Sequence, residues 1–219
     1  MYCNPSHRQK LPFPFLGEIP SSRFQLDDKG RFLFYGREKF QELYAAVKGM
    51  RFQRTRMCFL HGTLGSGKSF MLAALACLLM KEGSKVVFVP DCRALLRDMF
   101  GYLRLALRLA FHGPRHEART DFLDRSTTVE ELERFCAAAA SKYRLLFIID
   151  QANALDSEEE AVDRFTRQAK REARALLDKI TAQHLKLASS SSNYQHGPYD
   201  RYRQAGEKRL QLYGGLTEV

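Results

Sequence analysis

The stretch Gly62-Thr-Leu-Gly-Ser-Gly67-Lys68-Ser69 decides the fold, because it fits the pattern GxxxxGK[ST]. Gly62 and Gly67 allow the backbone to turn where a Cβ atom would clash. The N–H groups between them converge on an anion such as the phosphates of a nucleotide, and Lys68 neutralises phosphate charge. Ser69 offers a hydroxyl to Mg²⁺. We therefore predict that a nucleotide contacts the whole loop: Gly62, Thr63, Leu64, Gly65, Ser66, Gly67, Lys68 and Ser69.

The flanking sequence supports this interpretation over that of a Gly/Ser loop with an unrelated lysine. A short apolar run, Met57–His61, precedes the loop and is typical of a buried strand. The Ala/Leu-rich stretch from Lys68 to Glu82 follows it and predicts a buried helix that ends near Gly83. The N-terminus of such a helix directs its positive end at bound phosphates.

A second part of the predicted site follows the apolar run Leu145–Ile149. Asp150 ends this strand, where a carboxylate can hold Mg²⁺ beside Ser69, and the stretch 145–151 resembles a Walker B strand. Gln151 stands where many P-loop ATPases carry a glutamate. A glutamine cannot accept a proton from the attacking water, although it can orient that water. We therefore assign Lys68, Asp150 and Gln151 to catalysis and expect weak ATP hydrolysis.

The remaining patterns alternate between strand and helix. Lys85–Val89 predicts a second strand, Cys92–Phe111 a helix that Gly101 divides, and Ser157–His184 a long charged helix. Leu185–Ala188 opens a fourth strand that runs to Asn193. This order predicts an α/β fold: a P-loop NTPase three-layer sandwich with a mostly parallel sheet and without a complete C-terminal lid. Asn193 is either a sensor of the γ-phosphate or part of a polar loop.

Charge and composition limit the partners and the compartment. The net charge of +10 favours attraction to nucleic acid, or it reflects a solvated basic surface in which Arg51, Arg54 and Arg56 cluster. The five cysteines are scattered without a CxxC pair, which indicates neither a zinc site nor a disulfide framework and fits a reducing intracellular location. The sequence shows no signal peptide and no apolar stretch long enough to span a membrane.

The N-terminal part differs from the rest of the chain in composition. Residues 1–22 are rich in proline and polar side chains, so we expect residues 1–31 to form a poorly ordered arm unless Phe13 and Phe15 pin it. The NTPase core then spans residues 32–219 and is truncated at its C-terminus.

Two further segments resemble known families. Tyr35-Gly-Arg-Glu38 and the helical pattern that follows it to Val47 resemble the GRE box of STAND-type and AAA-like ATPases. The run Phe147-Ile-Ile-Asp-Gln-Ala-Asn-Ala-Leu155 resembles the NTPase domain of Crinkler-type effectors and of retrotransposon hot spot proteins. The first resemblance implies that Arg37 lies near the adenine or the loop. The second implies an ATPase module, often fused to an effector domain that acts in a host cell or its nucleus.

Together these features predict an ATP- and Mg²⁺-binding nucleotide switch or slow ATPase, with a homo-oligomer as the source of an arginine finger. Two alternatives remain open. A small-molecule or nucleotide kinase would use Phe111–Asp124, which contains Arg115, His116 and Arg119, as a lid. An interaction module with a degenerate P-loop would bind nucleic acid through its basic surface, and its binding would depend on salt.

Overall fold

The computed structural model describes residues 2–156, 165–190 and 207–212. Two strands near the N-terminus form an antiparallel pair, and five later strands form a parallel sheet. The antiparallel strands are β1 (Arg8–Pro12) and β2 (Arg31–Tyr35). The parallel strands are β3 (Met57–Gly62), β4 (Val86–Val89), β5 (Leu146–Ile149), β6 (Leu185–Ser189) and β7 (Glu207–Leu212). Their spatial order is β4-β5-β6-β3-β7, which confirms the predicted parallel sheet.

Helices cover both faces of the parallel sheet. They are α1 (Lys39–Lys48), α2 (Lys68–Lys81), α3 (Cys92–Arg97), α4 (Met99–Ala110), α5 (Glu117–Arg125), α6 (Val129–Ala139) and α7 (Arg167–Thr181). The chain crosses from β3 to β4 in one direction and returns through β5 and β6. Right-handed crossovers therefore put α2 on one face and α3 to α7 on the other. No helix in the described part of the chain is long and apolar enough to cross a bilayer.

The most apolar helices and strands are those that other parts of the chain cover on every face. All four residues of β4 and of β5 are buried, as expected for parallel strands covered on both faces. Helix α2 is buried from Met71 to Ala76 without a polar stripe. The N-terminal strand pair covers the side of α2 that would otherwise face solvent, since Cys77 Sγ donates to the carbonyl of Pro12 at 3.0 Å.

The segment expected to be a poorly ordered arm is packed in the structure. Phe13, Phe15 and Phe24 are buried, and their rings contact Phe88 of β4 and Tyr102 of α4, among others. Apolar burial on this scale offsets the entropy lost in ordering the arm. The arm also completes the site described below.

Two helix boundaries differ in detail from the sequence patterns. The helix predicted over Cys92–Phe111 divides at Asp98, not at Gly101. Asp98 is extended, and its carboxylate accepts from the N–H of Gly101 at 2.8 Å, which caps α4. Helix α7 is described from Arg167, capped by Thr166. The earlier part of the predicted helix, residues 157–164, lies outside the described residues, as does Asn193.

Candidate nucleotide-binding site

The site lies at the carboxyl edge of the parallel sheet, where four strands end. Strand β3 leads into the loop Gly62–Ser69, β4 into Asp91 and β5 into Asp150. Strand β6 separates β3 from β5 and ends at Ser189, whose hydroxyl donates to Oδ1 of Asp150. This is the edge at which parallel α/β sheets bind their ligands.

The loop glycines occupy positions that other residues would not tolerate. Gly67 has φ +81°, and a Cβ atom there would lie 2.6 Å from Nη2 of Arg37. Gly62 has φ +150°, and a Cβ atom there would lie 1.7 Å from the carbonyl oxygen of Leu212 in β7. The backbone of the loop is therefore constrained by strand β7 at Gly62 and by the side chain of Arg37 at Gly67.

Lys68 is folded into the loop that precedes it. Its Nζ donates to the carbonyls of Gly62 and Thr63 at 3.0 and 2.7 Å and to Ser66 Oγ at 3.2 Å. Burial lowers the pKa of Lys68, and the negative charge of Asp150 partly opposes that shift. Carbonyl and hydroxyl oxygens of the loop thus hold the lysine ammonium against the loop itself.

Arg23, from the N-terminal arm, reaches into the site between β4 and β5. Its Nη1 donates to Oδ2 of Asp150 at 2.7 Å and to Ser69 Oγ at 3.3 Å. Its Nη2 donates to the carbonyl of Pro90 at 2.9 Å and pairs with Oδ2 of Asp91 at 3.0 Å. The sequence patterns did not single out Arg23, since it lies in a proline-rich segment 46 residues from Ser69.

The same contacts test whether the site suits Mg²⁺. A carboxylate oxygen of Asp150 and the hydroxyl of Ser69 point at one cationic nitrogen, Nη1 of Arg23. Hydroxyl and carboxylate oxygens are the hard ligands that Mg²⁺ takes in P-loop sites. The two residues predicted from the sequence to hold the metal therefore converge on a single cation position.

Gln151 and Arg37 lie on the open side of the loop. They line a cleft of about 330 Å³ together with Lys68, Ser69 and Asp150. Gln151 has φ +57°, the one non-glycine residue with a left-handed backbone among those described. Its N–H donates to Oδ1 of Asp150 at 3.0 Å. Burial lowers the pKa of Arg37, whose guanidinium lies against Gly67.

The segment considered as a kinase lid lies elsewhere. The ring of Phe111 has Nζ of Lys85 5.6 Å from its centroid and packs edge-on against Tyr143. Lys85 and Tyr143 precede β4 and β5, so this cluster marks the amino end of the sheet, opposite the loop. Arg119 stacks on the rings of Phe111 and Tyr143. The segment that carries it is thus engaged in packing far from the phosphate loop.

Comparison with known proteins agrees with this geometry. The family model described as an AAA ATPase domain matches residues 33–177. The chain belongs to this AAA ATPase family. A search of curated proteins found no match. Similar solved structures include AMPPCP-bound DnaA from Aquifex aeolicus (13% identity, TM-score 0.43, 80% of this chain and 44% of that one). They also include C. elegans PCH-2 (16% identity, TM-score 0.44, 81% and 43%). This chain thus spans less than half the length of either.

The family assignment confirms the predicted α/β P-loop NTPase fold and its AAA-like character. AAA ATPases bind ATP, normally with Mg²⁺, and often form oligomers. The finer resemblance to Crinkler-type effectors stays a prediction from residues Phe147–Leu155.

Proposed function

We propose that this AAA ATPase domain binds ATP with Mg²⁺ in the loop Gly62–Ser69 and works as a nucleotide switch or slow ATPase. One observation carries the proposal: Ser69 and Asp150 converge on a single cation position directly beside the phosphate loop. Lys68 lines the same cleft as Ser69 and Asp150, so the phosphate-binding and metal-binding groups of this proposal lie side by side.

Each residue of the site has a distinct task in this proposal. The loop N–H groups and Lys68 bind the phosphates, while Arg37 adds positive charge against Gly67 at the start of α2. Ser69 and Asp150 hold the metal, which when bound neutralises phosphate charge. When nucleotide binds, Lys68 exchanges its contacts with the carbonyls of Gly62 and Thr63 for contacts with the phosphate oxygens.

Gln151 sets the expected rate. It follows Asp150 directly and lines the cleft, which suits a side chain that orients water. Its amide cannot take the proton of that water, so hydrolysis proceeds without a strong general base at this position. Turnover is therefore slow unless a neighbouring subunit adds an arginine or a base, and we propose a homo-oligomer as the active form.

The wider role rests on resemblance alone. We propose that the domain acts within a Crinkler-like effector or a related protein, on the strength of the run Phe147–Leu155. A host-cell or nuclear location belongs to the same proposal.

Equilibrium binding of fluorescently labelled ATP tests the proposed function. We expect wild-type protein to bind ATP with Mg²⁺ in preference to GTP. Lys68→Ala removes the charge that neutralises the phosphates, so we expect it to lose at least about tenfold in affinity, the effect of one hydrogen bond between charged groups. Lys81→Ala, at the far end of the same helix, is the matched control and should bind as the wild type does.

The two possible failures have different meanings. If the folded wild-type protein binds no ATP, the loop is degenerate and the proposal is wrong. If ATP binds but Gln151→Glu does not raise turnover, the residue at position 151 does not limit the rate of hydrolysis. The domain then works as a nucleotide switch.

A further inference from the structure

We propose that Arg23 is a tethered cation that occupies the magnesium position of the nucleotide-free protein, and that Mg²⁺ and ATP must displace it. This inference rests on the proposed function, since it concerns the same metal position. It adds a competition between the N-terminal arm and the metal that the P-loop fold does not require.

The contacts of Arg23 match those of a metal rather than those of a surface ion pair. One nitrogen contacts both predicted metal ligands, Asp150 at 2.7 Å and Ser69 at 3.3 Å. The side chain of Asp150 is 3% exposed and that of Arg23 is 17% exposed, so the pair is largely shielded from water. A second cation at this point would meet the repulsion of the guanidinium at close range, where screening is weak.

Charge balance explains why a cation is needed there before nucleotide binds. Asp91 and Asp150 both face the guanidinium, Asp91 through Nη2 at 3.0 Å. A shielded carboxylate without a partner is strongly destabilising, and two of them would also repel each other. Arg23 contacts both carboxylates, and its single positive charge offsets part of their combined negative charge. Departure of Arg23 is therefore favourable only when another cation replaces it.

The arm is built to present Arg23 at this point. The N–H groups of Arg23 and Phe24 both donate to the carbonyl of Pro20, at 2.9 and 3.0 Å, which closes a turn. Phe24 is buried and its ring lies 4.6 Å from that of Phe70, the residue after Ser69. Occupation of the metal position is thereby linked mechanically to the arm that covers α2.

A magnesium titration of ATP binding tests this competition. The measured quantity is the Mg²⁺ concentration that gives half of the increase in affinity for fluorescently labelled ATP. Arg23→Ala removes the competing cation, so we expect this concentration to fall about tenfold, as for loss of one hydrogen bond between charged groups. Affinity for ATP without Mg²⁺ should change much less. An unchanged or higher half-saturating concentration would overturn the proposal.

Two further variants keep the test decisive if Arg23→Ala folds poorly. Asp91→Asn keeps an N-cap for α3 but weakens the hold on Arg23, so the half-saturating Mg²⁺ concentration should fall as well, by a smaller factor. Arg97→Ala breaks only the exposed contact of the arm with Glu18 and should leave this concentration unchanged. An equal effect of Arg97→Ala would overturn the proposal, because it would attribute the change to loosening of the arm.

Thermal unfolding without nucleotide gives a second readout. Mg²⁺ alone should raise the melting temperature of Arg23→Ala more than that of the wild type, since only the variant leaves Asp150 without a cation. If Arg23→Ala weakens ATP binding equally with and without Mg²⁺, Arg23 is a phosphate ligand and the competition is wrong. Folded wild type that binds no ATP at any Mg²⁺ concentration would instead refute the proposed function.

Discussion

At the residue scale, Gln151 combines a proposed role in orienting water with a left-handed backbone conformation. It adopts the left-handed conformation directly after Asp150, where its N–H donates to the Asp150 carboxylate. For a residue with a Cβ atom this conformation costs about 1–2 kcal/mol. Such strain persists only when the surroundings hold it in place, and it is often found at functional sites.

A pair of substitutions measures this strain. We expect Gln151→Gly to unfold with a free energy about 1 kcal/mol higher than Gln151→Ala, because glycine adopts the left-handed region without cost. Both variants lack the amide, so their difference isolates the backbone. Urea unfolding followed by circular dichroism gives the two values. If Gln151→Ala proved the more stable, as alanine is at ordinary helical positions, the strain would be absent.

At the element scale, His184 joins β5, β6 and α6 from the amino end of the sheet. Its Nε2 bonds to the carbonyl of Cys136 at 3.0 Å, and its Nδ1 accepts from the N–H of Leu145 at 3.4 Å. These contacts fix the ring in its neutral form with the proton on Nε2. Burial lowers the pKa of His184, and the nearby Arg144 acts in the same direction.

This shift predicts a pH dependence of stability. The folded pKa of His184 lies below its unfolded value of about 6.5, so the unfolded state takes up the proton first. The free energy of unfolding should therefore fall as pH drops through 6.5 toward the folded pKa. Denaturant unfolding measured from about pH 8 to about pH 5 covers this window. The free energy of unfolding of His184→Gln should depend less on pH over this range than that of the wild type. If the free energies of unfolding of the wild type and of His184→Gln changed equally with pH, the lowered pKa of His184 would be contradicted.

The elements differ in how far the sequence could predict them. Strands β3 and β4 and helix α2 are mainly apolar runs beside glycine or proline, and β5 is an apolar run that ends at Asp150, so local sequence suffices. Strand β7 bears charged and polar residues at four of its six positions, because its neighbours bury only Leu210 and Leu212. Its place beside β3 depends on pairing between residues 150 positions apart, such as Met57 and Glu207, which no local pattern encodes.

The residues of the candidate site also differ in whether the sequence alone could predict them. The loop and Asp150 were predictable because their motifs are short and each follows a strand. Arg23 was not, since its role arises only when the arm folds back onto β4 and β5. A lone arginine in a proline-rich segment carries no spacing that points to Ser69 or Asp150.

At the scale of the whole molecule, the N-terminal arm is part of the core. Phe24 is 2% exposed and contacts the rings of Phe13, Phe32 and Phe70, which belong to the arm, to β2 and to α2. We expect Phe24→Ala to lower the free energy of unfolding by roughly 3–5 kcal/mol, the usual cost of emptying a buried aromatic site.

The control for this prediction is Phe122→Ala, since Phe122 is 42% exposed on α5. The decrease in the free energy of unfolding caused by Phe122→Ala should be clearly smaller, because this substitution removes fewer contacts. Urea unfolding monitored by circular dichroism compares the two. Equal losses in the free energy of unfolding would mean that Phe24 adds no more to the core than a partly exposed side chain does.

The contact between Gly62 and β7 affects which loop residues can change in relatives of this protein that no longer bind nucleotide. Gly62 is constrained by the carbonyl of Leu212, which any side chain would strike, before any phosphate is considered. A descendant that had given up its nucleotide would still have to retain this glycine to keep β3 and β7 paired. Lys68 and Ser69 meet no such steric limit, because their side chains contact the loop and Arg23 and not a neighbouring strand. Substitution of Lys68 or Ser69 would therefore identify relatives whose loop no longer binds nucleotide, whereas retention of Gly62 would not show that it still does.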